Sequence, residues 1–218
     1  MNKALACHCE PKAEPGHEIG TVLALDFKKK DGDSFMDRSV YGHLCTNHGS
    51  KWQLDGRYFD GVDDYVDLPD NFPNVTDFTF VAWIYWLGGS NWQRIFDFGE
   101  NTTHYMFLAP KTDVDTLRLE IQKEGLAIQR IDTAKLTVNR RHNAAVTLEA
   151  DTGKLYVDGN PKKTGTITLN PSDVVGVNAW LGRSQFTTDP YYNGLIGEVL
   201  TYNFADYAPR ILSRSIGG

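Results

Sequence analysis

The chain has 218 residues, of which 41% are hydrophobic and 12% are aromatic, and this composition suits a single large domain with a sizeable core. Its formal net charge of −6, without a basic cluster, argues against nucleic acid and against an anionic membrane surface as partners. No apolar run is long enough to cross a bilayer, so membrane insertion is not predicted.

The amino-terminal residues 1–17 contain Pro11 and Pro15 and follow no periodic pattern, which predicts an arm outside the core. They also lack a charged start followed by an apolar run, so no secretory leader is predicted. An odd number of cysteines cannot pair completely within one chain, and the chain has three of them, Cys7, Cys9 and Cys45. Three interpretations stay open. The thiols are reduced, or one bridge joins the arm to Cys45 and the remaining thiol bonds a neighbouring subunit. The third is a metal bound by Cys7-His8-Cys9 with His17, although the spacing is not that of a zinc ribbon or finger.

The first strand is predicted over residues 19–27, and a turn follows at residues 31–34. Residues 37–50 are polar and contain glycine, so we expect a loop there. An acidic, glycine-bearing bend lies within residues 58–69. It leads to residues 78–86, a run too aromatic and β-branched for a surface helix.

Beyond Pro69, short strand patterns alternate with turn residues. Leu117 and Leu119 alternate with charged residues, which predicts a strand with one buried side and one side facing solvent. Asp158-Gly159 between two short runs is a strong hairpin signal. We therefore predict one all-β domain over residues 18–206, built as a two-sheet antiparallel sandwich, and a carboxy-terminal tail over residues 207–218.

Three stretches resemble laminin-G-like, concanavalin A-like jelly-roll domains: residues 58–86, residues 141–159 and residues 180–203. Together they cover the chain from about residue 20 to about residue 205. One departure is Arg141-His142, which stands where the family commonly has a Trp-His pair. The resemblance implies a jelly roll that binds sugars or other proteins, because only a minority of the wider fold cleaves glycans.

Relatives commonly hold a structural calcium ion between the first strand, or the loop after it, and the last strand. By position, the resemblance implies Asp26, Asp37 and Glu198 as oxygen ligands, and no other cofactor. The chain has Ile196-Gly197-Glu198 where relatives often carry an additional Asp, so one ligand of the family is missing. Because Glu198 alternates in phase with apolar residues, we also consider a buried pair with an arginine.

A sugar site needs exposed aromatic rings with polar groups beside them, and loops are the natural source of such rings. Two predicted loops supply candidates at one end of the sandwich, namely Trp92, Arg94, Asp189, Tyr191 and Tyr192. The alternative is that these aromatic residues close the end of the sandwich. Trp83 and Trp180 lie inside strand patterns, and we expect them in the core.

Enzymes of this fold that cleave β-glucans carry Glu-x-Asp-x-x-Glu on one strand, because hydrolysis requires two carboxylates across the scissile bond. This chain has no such pattern, and no Gly-x-Ser-x-Gly motif either. Its acidic cluster is better explained by turn formation and solubility, and comprises Asp60, Asp63, Asp64, Asp67 and Asp70. The sequence therefore predicts a protein that is not an enzyme.

The first functional hypothesis is a non-catalytic binding or adhesion module, located outside the cell or on a virion surface, that recognises glycans or docks on another protein. The alternative is a structural protein of a phage virion, such as a capsid decoration, collar or fibre component. The missing leader, the arm and the unpaired cysteine favour that alternative, with the arm contacting assembly partners or a second copy. A glycoside hydrolase ranks last.

Overall fold

Two antiparallel sheets of eight strands each pack face to face in residues 19–206, the part of the chain that this computed structural model describes. The architecture confirms the predicted two-sheet jelly roll. The predicted arm and tail, with Cys7 and Cys9, lie outside the described residues. Among residues 19–206, no helix has the length and apolar character needed to span a bilayer.

The strands are short, as the closely spaced turn signals predict. In chain order they are β1 Thr21–Asp26, β2 Ser34–Met36, β3 Leu44–His48, β4 Lys51–Gln53, β5 Gly56–Asp60, β6 Tyr65–Asp67, β7 Phe78–Trp86, β8 Phe96–Asn101, β9 His104–Ala109, β10 Thr116–Gln122, β11 Gln129–Ala134, β12 Arg141–Glu149, β13 Thr152–Val157, β14 Asn160–Thr166, β15 Asn178–Leu181 and β16 Asn193–Tyr202. A 3-10 turn, Pro171–Asp173, precedes β15.

The first sheet has the order β14-β13-β12-β7-β16-β5-β4, and β1 also pairs with β16. The second sheet has the order β11-β10-β9-β8-β15-β6-β3-β2. The predicted hairpin forms between β13 and β14, where Asp158 and Gly159 have φ angles of 54° and 72°. Two consecutive residues with positive φ are what a type I′ turn requires.

The core lies between the sheets, where alternate side chains of both point inward. Phe80 of β7 contacts Phe96 of β8 with ring centroids 4.5 Å apart, and Phe96 stacks on Phe98 at 4.5 Å. Leu117 and Leu119 are fully buried on the inner side of β10. Aromatic and β-branched residues form these strands because they cover a pleated surface efficiently.

The predicted loop at residues 37–50 is wrong in part, since it contains β3. This strand pairs with β2 on one side and β6 on the other. Its inward residue Cys45 is buried as a free thiol, and Asn47 is buried through bonds to Asp33 and Ser50. Hydrophobicity alone does not predict this strand, because polar residues such as Asn47 are buried in it through hydrogen bonds to nearby residues.

The solvent-facing side predicted for β10 is also wrong. Arg118 and Glu120 are only 5% and 6% exposed. Arg118 bonds Asp132 of β11 at 2.7 Å and Glu120 at 3.3 Å, and its guanidinium carbon lies 5.4 Å from the ring centroid of Trp92. The outer side of β10 is therefore buried by ion pairs and by Trp92, although the alternation of residue types predicts that it faces solvent.

Of the two tryptophans expected in the core, Trp180 is buried as expected, with 8% exposure, whereas Trp83 is not, and both lie on outer faces of their sheets. Trp83 is half-buried on β7, where its neighbours Ala82 and Ile84 point inward. Trp180 of β15 also points outward, because Ala179 and Leu181 belong to the core. The alternation within each strand decides which face each tryptophan occupies.

Candidate functional site

The two loops that hold the predicted ligand residues meet through Arg94, which is 1% exposed. Its guanidinium donates to Asp189 at 2.6 Å, to Asp97 at 3.2 Å and to the carbonyl of Trp92 at 2.6 Å. Ser184 also donates to Asp189, at 2.9 Å. The five side chains therefore do not form one open surface, since Arg94 and Asp189 bond each other.

Asp97 anchors this network from the outer side of β8. Its carboxylate accepts from the amide of Gln185 at 3.1 Å as well as from Arg94. Burial raises the pKa of Asp97 to about 7, although Arg94 acts in the opposite direction. The network thus ties the segment before β16 to the second sheet, and its role is to hold two loops together.

The aromatic residues of the predicted site separate into different environments. Tyr192 is 0% exposed and packs edge-on against Phe59, with ring centroids 6.0 Å apart. Tyr191 is half-buried on the outer side of the second sheet, 6.3 Å from Tyr65. Trp92 is half-buried elsewhere on that face. Burial removes Arg94 and Tyr192 from the set of side chains that a ligand can reach.

A cleft of about 350 Å³ lies at an end of the sandwich that the sequence did not single out. Its floor includes the buried residues Phe72 and Pro73, and its rim includes Tyr41, which is 61% exposed. We call it the Tyr41 cleft, and its lining consists of Val22, Tyr41, His43, Pro69, Asp70, Asn71, Phe72, Pro73, Asn74, Val75 and Asn203. An apolar floor with a few polar groups around it is typical of a small-ligand site.

Asp37 fixes the wall of the Tyr41 cleft. Its carboxylate accepts from the backbone amides of Ala24 at 3.1 Å and Ser39 at 2.6 Å, and from that of His43. These bonds shape the loop between β2 and β3, in which the rings of Tyr41 and His43 stack at 5.6 Å and 18°. The loop therefore presents an aromatic ring in a defined orientation.

The opposite wall comes from the segment between β6 and β7. Phe72 contacts His43 at 6.1 Å and Phe98 of the core at 5.5 Å, both edge-on, so the floor continues the core. The backbone N–H of Asn71, a residue with a φ of 60°, donates to the carbonyl oxygen of Gly176 at 2.8 Å. Asn71, Asn74 and Asn203 are exposed and bring amide groups to the rim, where they can bond hydroxyls.

Sequence reasoning missed this cleft because its residues come from four separate segments of the chain without a common motif. The available local signals were an aromatic pair in a glycine-bearing loop, Tyr41 and His43, and the polar turn at residues 71–74. Neither signal identifies the other as its neighbour. The pairing of β3 with β6 brings them together.

Of the three predicted calcium ligands, Asp26 and Glu198 could bind a cation and Asp37 could not. Asp37 does not fit, because three backbone amides already donate to its carboxylate and would oppose a positive ion. Asp26 and Glu198 are cross-strand partners, and Oε2 of Glu198 is buried without a hydrogen bond. Burial raises the pKa of Glu198 to about 7, and Asp26 raises it further while Lys28 lowers it. This pair retains the capacity for a cation, so calcium stays a prediction.

Glu198 is buried and in phase with Leu200 and Tyr202, as expected, but it is not in phase with Ile196, for a local reason. A register shift between Ile196 and Glu198 reverses the alternation, so Ile196 lies in the core while Glu198 lies on the outer side of β16. Among the described residues, no arginine bonds Glu198, so the alternative of a buried arginine pair is not realised there.

Three carboxylates of the predicted acidic cluster come together in the turn between β5 and β6. Their oxygen atoms lie within 4.8 Å of one another, and the residues are Asp60, Asp63 and Asp64. Asp64 accepts from the backbone amide of Asp60 at 2.9 Å, and Asp60 accepts from that of Val62 at 2.9 Å. These bonds agree with the predicted role in turn formation.

Residues 60–211 match the family model of the concanavalin A-like lectin/glucanases superfamily, and the chain belongs to this superfamily. No curated protein sequence matches the chain. Within the described residues, the fold and the rim-and-floor arrangement of the cleft agree with a lectin-like domain.

Solved structures with the same fold include parts of glycan-processing proteins. The chain is similar to domain 4 of AbnA, a GH43 extracellular arabinanase from Geobacillus stearothermophilus, in complex with arabinotriose, with 17% identity and a TM-score of 0.75 over 89% of this chain and 98% of that one. It is also similar to Trypanosoma rangeli sialidase in complex with sialic acid, with 15% identity and a TM-score of 0.68 over 92% of this chain and 34% of that one. The chain therefore spans about a third of the sialidase.

Proposed function

We propose that this chain is a non-catalytic glycan-binding module that works at a glycan-bearing surface outside the cell and takes its oligosaccharide in the Tyr41 cleft. The observation that carries the proposal is the Tyr41 ring, which is 61% exposed, stacked on His43 and located at the rim of a cleft with an apolar floor. A pyranose or furanose ring has an apolar face that stacks on such an aromatic ring, and its hydroxyls bond neighbouring amides.

The fold neighbour from the arabinanase supports a carbohydrate as the ligand class. That neighbour was solved in complex with arabinotriose, and the match covers 98% of it. At 17% identity the likeness concerns the fold alone, so the identity of the sugar has to come from binding measurements.

The lining of the Tyr41 cleft supports binding without cleavage. Among the described lining residues, Asp70 contributes the single carboxylate, whereas glycoside hydrolysis uses a pair of carboxyl groups on either side of the scissile bond. The pattern Glu-x-Asp-x-x-Glu is also missing from the sequence. We therefore expect a reducing-sugar assay on mixed plant and bacterial glycans to stay at background.

The test is a glycan array followed by titration calorimetry on the strongest neutral ligand. Tyr41→Ala should weaken binding by about tenfold, which corresponds to about 1.4 kcal/mol, since the variant loses the aromatic ring on which the sugar stacks. Trp52→Ala is the matched control, because Trp52 is 38% exposed and lies on β4, remote from the cleft.

Equal affinity for the wild type and the Tyr41 variant would reject the cleft as the site. Binding lost in both variants would indicate a general defect in folding, and thermal unfolding of each variant distinguishes that case. Steady release of reducing sugar that disappears in Asp70→Asn would instead make the protein a hydrolase.

A further inference from the structure

The Arg183 side chain lies over two aromatic rings on the outer side of the second sheet. Its guanidinium carbon is 4.2 Å from the ring centroid of Trp180 and 4.7 Å from that of Tyr65. The two rings are nearly perpendicular, with centroids 6.3 Å apart and an interplanar angle of 75°. Arg183 therefore occupies the corner between two aromatic walls.

The strands fix these walls in place. Tyr65 of β6 pairs with His48 of β3, and the two rings stack at 4.2 Å with an interplanar angle of 6°. Trp180 pairs with Asp67 of β6. Burial raises the pKa of Asp67, and a hydrogen bond that the Trp180 side chain donates to Asp67 opposes that rise. The half-buried ring of Tyr191 adjoins Tyr65 at 6.3 Å. The corner is thus rigid before any ligand arrives.

Arg183 differs from the other arginines of the described residues in having no hydrogen bond and no ion pair there. The other seven each bond a carboxylate or a carbonyl oxygen, and they are Arg38, Arg57, Arg94, Arg118, Arg130, Arg140 and Arg141. Asp67 is near enough to interact electrostatically with Arg183, but that effect on the pKa of Asp67 is the smallest of five. The guanidinium is therefore held in position while its donors stay available.

A guanidinium in this setting has a defined chemical preference. Its carbon lies within cation–π distance of both ring centroids, and its N–H groups, which make no hydrogen bond within the described residues, can bond a ligand. A planar carboxylate matches that edge with two parallel hydrogen bonds. Partial burial strengthens such a bond, because water competes less for the donors.

We propose that Arg183 forms a second ligand site, which binds the carboxylate of an acidic sugar while Tyr191 borders the sugar ring. The carboxylate class rests on Arg183 and its two aromatic walls alone. The choice of a sugar as its carrier rests on the proposed glycan-binding function. The site lies at the His48 and Tyr65 ends of β3 and β6, whereas the Tyr41 cleft lies at the opposite ends of the same two strands.

The test uses the whole chain and a panel of trisaccharides of galacturonic, glucuronic and sialic acid, each compared with its methyl ester. Titration calorimetry at low salt should detect binding of at least one acid, with about tenfold or greater weakening for its ester, since charge-assisted bonds to Arg are lost. Arg183→Met should weaken that binding to the level of the ester. Arg183→Lys should restore part of it, because the charge returns without the planar fork.

The matched control is Arg140→Met, because Arg140 is an exposed arginine in the turn just before β12 of the first sheet, and it should leave affinity for the acid unchanged. Tyr41→Ala should also leave it unchanged, so failure of the cleft proposal and failure of this one are separate results. Equal affinity for acid and ester, equal affinity of wild type and Arg183→Met, or no binding of any acid in the panel would overturn the proposal.

Discussion

Arg94 and Arg183 both lie against aromatic rings on the outer side of the second sheet, yet they differ in their hydrogen-bond partners. Arg94 is 3.9 Å from the ring centroid of Phe107 and is bonded by Asp97 and Asp189 inside the protein. Arg183 has the same aromatic support at 4.2 Å from Trp180, but it is half-buried and has no such partner in the described part of the chain. The comparison teaches that the partners of a stacked arginine, more than its stacking, separate a structural role from a binding role.

The largest expected effect concerns the partner of Arg94. Asp97→Ala removes a buried carboxylate and leaves Arg94 with Asp189 alone, so the free energy of unfolding should fall by about 3–5 kcal/mol. Urea denaturation at pH 8 measures it. Asp63→Ala, which changes an exposed carboxylate, should cost less than about 0.5 kcal/mol. A loss below about 1 kcal/mol for Asp97→Ala would mean that the Arg94 network does not hold the loops.

Glu198 provides the counter-case, a buried carboxylate without an arginine. Burial raises its pKa to about 7 from the ordinary 4.5, so its charged form is disfavoured in the folded state. The contribution of Glu198 to stability is therefore present below pH 4.5 and is lost as the pH rises through about 7. Stability at pH 8 should be lower by about 2–3 kcal/mol for this reason.

The measurement is the free energy of unfolding at pH 4.5 and pH 8 for the wild type and Glu198→Gln. The variant should lose the part of the difference that Glu198 contributes and be the more stable protein at pH 8, while the part due to Asp97, whose pKa burial also raises to about 7, should remain. Glu149→Gln, at an exposed end of β12, is the control and should keep the wild-type pH dependence. If Glu198→Gln instead destabilises the protein at pH 8, and added Ca²⁺ raises the melting temperature of the wild type alone, the carboxylate pairs with a cation.

The smallest expected effect belongs to Arg183. Because this side chain bonds nothing in the described residues, Arg183→Met should change the free energy of unfolding by less than about 0.5–1 kcal/mol, the scale of an exposed cation–π contact. The same chemical denaturation experiment compares it with Arg94→Met, which should cost several times more. Similar costs for the two variants would contradict the distinction between a structural and a binding arginine.

The sequence predicts the fold well wherever the signal is local. Residues 78–86 form a long aromatic and β-branched run and become β7, and Asp158-Gly159 forms the predicted hairpin. The family resemblance, carried by residues 58–86, 141–159 and 180–203, places these local signals in the correct architecture. Alternation within β15 also accounts for the outward direction of Trp180, since the residues on either side of it, Ala179 and Leu181, point into the core between the sheets.

The candidate site is less predictable, because each part of it depends on contacts between distant segments. Asp37 was expected to bind calcium, but three backbone amides satisfy it and it shapes the wall that carries Tyr41. Arg94 was expected to bind a ligand, but it is buried and bonds two carboxylates of the protein, Asp97 and Asp189, which lie 3 and 95 residues away in the chain. A sequence states which groups are present, and it does not state which of them already bond each other.

Taken alone, the sequence determined the all-β sandwich and its turns, because alternation and turn chemistry act between residues that are neighbours in the chain. Its superfamily came from the resemblance of three stretches and from the family model that matches residues 60–211. The tertiary structure decided which polar groups are consumed inside the protein and which face a ligand. The physical reason is that a buried charge needs a partner, and that partner is selected by strand pairing and loop packing across the whole domain.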